Sequence, residues 1–245
     1  MKSITIAGLM AVAAFSNAQV FTQWNFNSNP PDTSTGTGSL TPSLGLGSAA
    51  LVGGVTGSFA SGSANGGSSD PAGAVDNSGW GTTTYTTVVA DSGKRGVQFN
   101  VSTAQGAMGY KNIEVKFDIR RSNTGSRFVQ FQYTLDGTNF SSAGLVDDGI
   151  FSGAAGDTWV NGNTVNLSSI AGVENNANFG FRIVSVVSPS TGAYVAATTG
   201  SNFASTGTLR YDMVTVSGEP VPEPASLIAL GLGASALIRR RAQKA

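Results

Sequence analysis

The chain has 245 residues with 14 basic and 14 acidic side chains, 33 glycines, no cysteine and no histidine. The first absence excludes disulfides, thiol chemistry and cysteine-type zinc sites; the second removes the commonest general base, the usual serine-hydrolase triad and nearly all transition-metal sites. All 14 acidic residues but only nine basic ones lie between 19 and 224, giving that part a net charge of −5; with no cluster of Lys and Arg for phosphates, nucleic acid is not an expected partner.

The first residues, MKSITIAGLMAVAAFSNA, set Lys2 before an apolar run from Ile4 to Phe15 and close on Ser16-Asn17-Ala18. This is the layout of a secretory signal peptide over 1–18, cut between Ala18 and Gln19, and it implies the Sec export machinery as a partner. The uncharged run is short for a bilayer span, so removal is expected rather than retention.

Residues 19–218 read as one β-sandwich domain. VFTQWNFN (20–27) is a strand with Trp24 and Phe26 in phase toward the core. From 33 to 70 the sequence is nearly low-complexity Gly, Ser and Thr, so it predicts loop with at most a short edge strand around Ala50–Val55. Thr82, Thr83, Thr84, Thr86 and Thr87 surround Tyr85 and predict a polar edge strand. A flat threonine array is also a way to bind ice, but such arrays recur at fixed intervals and this one occurs once. GVQFNVST (96–103) is the next strand.

The clearest signal is YKNIEVKFDIRR, where Ile113, Val115, Phe117 and Ile119 alternate with Glu114, Lys116, Asp118 and Arg120. That period of two predicts a strand with one buried and one wet face. RFVQFQYTLDGTNF follows with the same period and a turn at Asp136-Gly137, where Gly accepts positive φ. NFGFRIVSVV (178–187) and TLRYDMVTVS (208–217) complete the set, and a phase change near Met213 predicts a β-bulge. No helices alternate with these strands. The fold class is therefore all-β: an antiparallel β-sandwich, jelly-roll-like, flanked by the signal helix and a short C-terminal transmembrane helix.

GEPVPEP (218–224) predicts a break, because each proline removes a donor and restricts its predecessor. Ala225–Ile238 then gives 14 uncharged residues, about 21 Å as a helix against roughly 30 Å of hydrocarbon. Arg239, Arg240 and Arg241 hold that end on the cytoplasmic side. The physics predicts a weak anchor with the domain outside.

Candidate chemistry is sparse. Asp147, Asp148 and Asp157, or Asp91 with Asp76, supply oxygens of the kind calcium takes, but no EF-hand spacing; loop turns explain them equally. Glu114 and Asp118 share a strand face and resemble a glycoside hydrolase pair in type only, since Lys116 and Arg120 on that face point to a solvated charged surface. Trp80 and Trp159 sit in polar, turn-rich surroundings and are the candidates for stacking on a sugar ring, with burial under a loop as the alternative.

Two resemblances add to this reading. Val221-Pro222-Glu223-Pro224, an apolar helix with Gly231 and Gly233, and the terminal arginines resemble a PEP-CTERM sorting signal over 219–245. The resemblance implies recognition by a membrane-embedded exosortase, cleavage near Pro-Glu-Pro, and transfer from the inner membrane to the cell surface or an exopolysaccharide (biofilm) matrix. The body, through VFTQWNFNS, RRSNTGSRFVQFQYTLDGTNF, FGFRIVS and TLRYDMVTVSG, is similar to lectin-like and carbohydrate-binding jelly rolls. That similarity implies no catalytic residues and no required cofactor, but a structural calcium between the first and last strands, with Asp212 and Asn27 as the pair. The simpler expectation is that Asp212 pairs with Arg210 or Arg182. The expected function is a non-catalytic surface or matrix protein; alternatives are a carbohydrate-binding module with polysaccharide as partner, and less favoured, an ice-binding protein or glycoside hydrolase.

Overall fold

A computed structural model describes residues 17–71, 76–105 and 109–221. Its strands are β1 (Gln19–Trp24), β2 (Ser48–Val52), β3 (Thr56–Ser61), β4 (Ser78–Thr83), β5 (Arg95–Asn100) and β6 (Gly109–Arg121). They continue with β7 (Phe128–Thr134), β8 (Phe140–Ser141), β9 (Ile150–Ser152), β10 (Thr158–Asn166), β11 (Gly180–Ser185) and β12 (Leu209–Val221). Two six-stranded sheets result. One runs β10-β6-β12-β4-β3 with β1 also on β12; the other runs β2-β5-β11-β7-β8 with β9 also on β7. Every pairing is antiparallel. From β4 to β7 and from β10 to β12, successive strands alternate between the sheets, so each inner face is built from distant stretches of sequence.

The period-two reading of β6 holds on its core side: Ile113, Val115, Phe117 and Ile119 are fully buried. They meet Phe99, Phe131 and Phe181 from the other sheet in one apolar cluster. Phe181 is the hub of an aromatic stack, with ring centroids 5.0 Å from Phe99 and 5.1 Å from Phe131. Trp24 packs 5.0 Å from Phe99 and is wholly buried. The Asp136-Gly137 turn is present, with Gly137 at φ 79° and the Asp136 carboxylate accepting from the backbone N–H groups of Thr138 and Asn139.

The bulge near Met213 is present and does more than kink a strand. β6 runs along one side of β12, while the other side is shared by β4 at Leu209–Tyr211 and β1 at Val214–Gly218. Met213 lies between those two partners at φ 46°, and the β6 register shifts between Asp212 and Thr215. The local twist lets one strand serve two neighbours on the same side.

Three expectations are corrected. The 33–70 stretch holds two edge strands, β2 and β3, on different sheets and joined through Gly53 and Gly54, both at positive φ. An edge strand needs only one partner and little burial, so its composition need not alternate. The threonine segment is not an edge: β4 lies between β12 and β3, and Thr82 is buried, its hydroxyl donating to the Leu209 carbonyl at 3.0 Å. Finally, β12 continues past the expected break to Val221. Pro220 is tolerated because, among the described residues, β12 has β6 alone as neighbour beyond Gly218, the residue paired with Gln19.

Candidate functional site

The two ends of the domain lie side by side. β1 starts at Gln19, paired with Gly218, three residues before β12 ends at Val221. Asn17, Ala18 and Gln19 are exposed, so the bond between Ala18 and Gln19 sits in accessible chain immediately ahead of the first strand. Val221 is exposed and still paired with Gly109. Pro222, Glu223 and Pro224, the apolar stretch 225–238, and Arg239, Arg240 and Arg241 lie outside the described residues, as does most of 1–18. Among the described residues no helix is long and apolar enough to cross a membrane.

The outer face of the β10-β6-β12 sheet carries the chemistry that the candidate residues pointed to, but in another arrangement. The segment following β3, residues 62–70, folds over this face. Trp159 donates its indole N–H to Ala64 O at 2.9 Å, Asn161 donates to Gly67 O at 3.1 Å, and Arg210 donates to Ser61 O at 2.7 Å. The Asp118 carboxylate accepts from Ser69 N–H at 2.6 Å and from Gly162 N–H at 2.7 Å. Asp118 is thereby buried, against the expectation of a solvated charged face. Its cross-strand partner in register is Asp212, also fully buried. Two carboxylates directly opposite one another on a ladder repel if both are charged.

Asp212 does not pair with an arginine. One carboxylate oxygen accepts the Met213 N–H at 2.8 Å; the other, Oδ2, has no hydrogen-bond partner. Asn77 Oδ1 is likewise buried and unpartnered. Both oxygens crowd the place where a side chain on Gly62 would start, so only glycine fits there. Burial pushes the Asp212 carboxyl up to about 8, the Ser68 hydroxyl and Met213 N–H opposing and nearby Asp70 and Asp118 reinforcing. Burial also raises Asp70, against the hydrogen bond it takes from Asn27.

The pair expected to hold calcium is not brought together. Asn27 does not join Asp212: its Oδ1 accepts Ser78 N–H at 2.8 Å and its amide donates to Asp70 at 2.9 Å. Among the described residues no three acidic side chains come together to hold a metal. One free carboxylate oxygen and one amide oxygen fall well short of the six to eight oxygens calcium takes. A proton on Asp212 relieves the repulsion between the two carboxylates that face one another across the β6–β12 ladder. The other aspartates are engaged singly: Asp157 with Arg120 and Asn123, Asp91 with Lys94 and Arg95. Glu114 pairs with Lys116 at 3.0 Å. Arg182 lies in the other sheet, donating to Gln132 and lying over the Phe140 ring.

Neither tryptophan offers a stacking face. Trp80 is 2% exposed, packed 5.6 Å from Phe26 and 6.3 Å from Phe99 inside the sandwich. Its strand places it opposite Tyr211 on the core side, and the glycines around it, which read as a loop signal, instead let neighbouring chains approach. Trp159 is 7% exposed beneath residues 62–70.

What the sequence did not reveal is a polar cleft of about 510 Å³ beside β1, lined by Asn25, Asn29, Asp32, Thr41 and Ser43 among others. Asp76 forms its inner wall, accepting Ser28 N–H at 2.7 Å and the Ser78 hydroxyl at 2.9 Å. The signal available was NFNSNPPD, where Asn25, Asn27, Asn29 and Asp32 are interspersed with Phe26, Ser28 and two prolines; without the fold they read as an ordinary turn.

Comparison with known proteins bears mainly on the C-terminal end. No curated protein sequence matches the chain. A solved structure, the N-terminal CBM22-1-CBM22-2 tandem domain from Paenibacillus barcinonensis Xyn10C, aligns at 12% identity and a TM-score of 0.44. The alignment covers 86% of this chain and 49% of that one, so the chain spans about half the length of its structural neighbour. The family described as the PEP-CTERM protein-sorting motif matches residues 220–242, beginning on the last two residues of β12. The chain therefore carries a PEP-CTERM protein-sorting motif running on directly from the last strand of a β-sandwich.

Proposed function

We propose that this chain is an exported, non-catalytic protein of the cell surface or exopolysaccharide matrix, sorted by an exosortase acting on its C-terminal motif. The observation that carries the reading is the sorting motif at 220–242, which starts where β12 ends. A cut near Pro222-Glu223-Pro224 falls beyond every ladder among the described residues, the last pair with β6 being Val221 and Gly109. The apolar stretch 225–238 then serves as a temporary hold, oriented by Arg239, Arg240 and Arg241. The non-catalytic part of the reading is supported by the state of the carboxylates: Glu114 is neutralised by Lys116, and Asp118 is occupied by two backbone N–H groups.

The test is intact mass with terminal peptide mapping of the protein recovered from its host's envelope and medium. The expected product starts at Gln19 and has lost everything beyond about Pro224, in a manner dependent on the exosortase. A membrane-bound product retaining Ala245 would make the apolar stretch a permanent anchor and end the sorting-and-release reading.

A second reading, contact with a polysaccharide, is favoured by the cleft. Its volume lies in the range of small-molecule sites, and amide and hydroxyl side chains match the donors and acceptors of sugar hydroxyls. Asn29 is exposed at its rim. Changing Asn25 and Asn29 to alanine is expected to weaken retention on the host polysaccharide about five-fold per hydrogen bond lost, with the melting temperature unchanged. Unaltered retention of the double variant removes the cleft from consideration.

A further inference from the structure

The polar cleft beside β1 carries charge of one sign. Asp32 and Asp76 both line it, and no lysine or arginine does. Asp76 is buried at the inner wall, where the Ser28 N–H and the Ser78 hydroxyl fix its carboxylate. Asp32 is exposed at the rim. Its Oδ2 accepts the Thr37 hydroxyl at 2.7 Å and its Oδ1 the Ser34 N–H at 2.7 Å. Those bonds, the Thr37 one first, hold its carboxyl below the usual carboxylate range. Behind the lining, Asn27 donates to Asp70 at 2.9 Å. After burial and that hydrogen bond, the neighbours that act on Asp70 are Asp118 and Asp76, both acidic. None of the ion pairs among the described residues uses Asp32, Asp70 or Asp76.

Neutral donors position a carboxylate without cancelling its charge, so the cleft keeps a negative potential that its walls concentrate. A sugar bearing carboxylate or sulfate groups is repelled there, and a neutral sugar finds hydrogen bonds alone. An amino sugar finds more. Its hydroxyls meet the amides and hydroxyls of Asn25, Asn29, Thr41 and Ser43. Its ammonium, with three donors and no acceptor, meets a carboxylate in a charge-assisted bond, roughly twice as strong as a neutral one. A lysine-rich peptide carries the same cation on a stem that lies along apolar surface. Pro31 and Pro42 are all the apolar surface that the lining residues supply, which favours a saccharide as the carrier.

We infer that the cleft selects polysaccharides whose sugars carry unacetylated amino groups, with Asp32 pairing with the ammonium and Asp76 adding to the potential behind it. The inference rests on the reading of the cleft as a polysaccharide contact and adds the class of sugar to it. It is independent of the sorting motif.

The test titrates the purified full chain with hexamers of glucosamine, N-acetylglucosamine and galacturonate. The glucosamine hexamer is expected to bind about three- to five-fold more tightly than its acetylated counterpart, the range that an exposed ion pair supplies, with the galacturonate hexamer weakest. That advantage should shrink toward one as salt rises from about 20 mM to about 500 mM, and should vanish in Asp32→Asn. The inference is overturned if the glucosamine hexamer shows no advantage in the wild type, or an advantage that survives in Asp32→Asn. Hexalysine binding as tightly as the glucosamine hexamer overturns it too, as does displacement of that hexamer by millimolar calcium at matched ionic strength, which would make the carboxylates a metal site. The cleft reading fails on a different result, unaltered retention of the Asn25 and Asn29 double variant on the host polysaccharide. Loss of retention in that variant, with no glucosamine advantage in the wild type, sinks the charge selection alone.

Discussion

Replacing Asp212 with asparagine is expected to abolish most of the fall in stability that the wild type shows between about pH 4 and pH 8. The carboxyl titrates near 3.8 in the unfolded chain and at about 8 in the folded one, chiefly through burial. The folded state therefore holds a proton that the unfolded state has released throughout that window. Stability from this group is complete below the lower value, declines as pH rises, and levels off above the upper one, with a slope of about 1.4 kcal/mol per pH unit. Asp70, also raised by burial, adds to the same slope. Asp118 opposes the charge from across the ladder; Arg210 on β12 lies on the same side but donates to Ser61 O instead. Asparagine keeps the acceptor for Met213 N–H and has no proton to lose, so Asp212→Asn should show most of the difference in melting between pH 5 and pH 8 removed, with the part due to Asp70 remaining. Parallel curves for wild type and variant would mean that Asp212 is ionised throughout. Millimolar calcium should shift neither; a rise confined to the wild type would restore the cation that the contacts argue against.

Phe181→Ala carries the second large effect. Phe181 is wholly buried and touches the rings of Phe99, Phe131 and Phe179, so truncation leaves a cavity at the centre of the aromatic stack. The expected loss is about 3–5 kcal/mol, a large share of the 5–15 kcal/mol that holds most domains folded. For a domain of this size that lowers the melting temperature by roughly 10 °C. Val146→Ala, at a residue 87% exposed, should stay within about 0.5 kcal/mol and serves as the comparison. A small effect at Phe181 would mean that the two sheets are less closely packed than their ring geometry implies.

The fold was legible where a strand is central and half-buried. β6, β7 and β12 announce themselves by alternation, and the bulge at Met213 by its change of phase, because burial of one face imposes period two on composition. β2 was legible only as a short edge strand around Ala50–Val55 and β3 escaped notice, for the opposite reason: edge strands bury little, so Ser48–Val52 and Thr56–Ser61 look like the loop around them. The site was harder. Asp118 and Asp212 sit on what alternation marks as the wet face, and only the fold of residues 62–70 over that face buries them. Trp159 lies under a loop, the alternative to a stacking face, whereas Trp80 lies in the core because Gly79 and Gly81 beside it admit close approach of neighbouring backbone instead of marking a turn. The C-terminal motif was legible outright, since its order of Pro-Glu-Pro, apolar run and arginines does not depend on the fold.

The position of β12 between β6 on one side and β1 with β4 on the other has a kinetic consequence. The Gln23 side chain on β1 donates to Thr215 on β12, 192 residues away, and no nearer strand substitutes for that partner. Closing so long a loop costs entropy before any contact repays it, and folds rich in such pairings form slowly. The strand synthesised first is therefore among the last to find its place. Until β12 arrives, β1 presents an open edge to any neighbouring chain, the kind of exposure through which slow β-folds aggregate. Completion of the domain waits on the 13 residues that immediately precede the end of the described chain, so any truncation that reaches into β12 should yield an unfolded, adhesive product instead of a smaller sandwich.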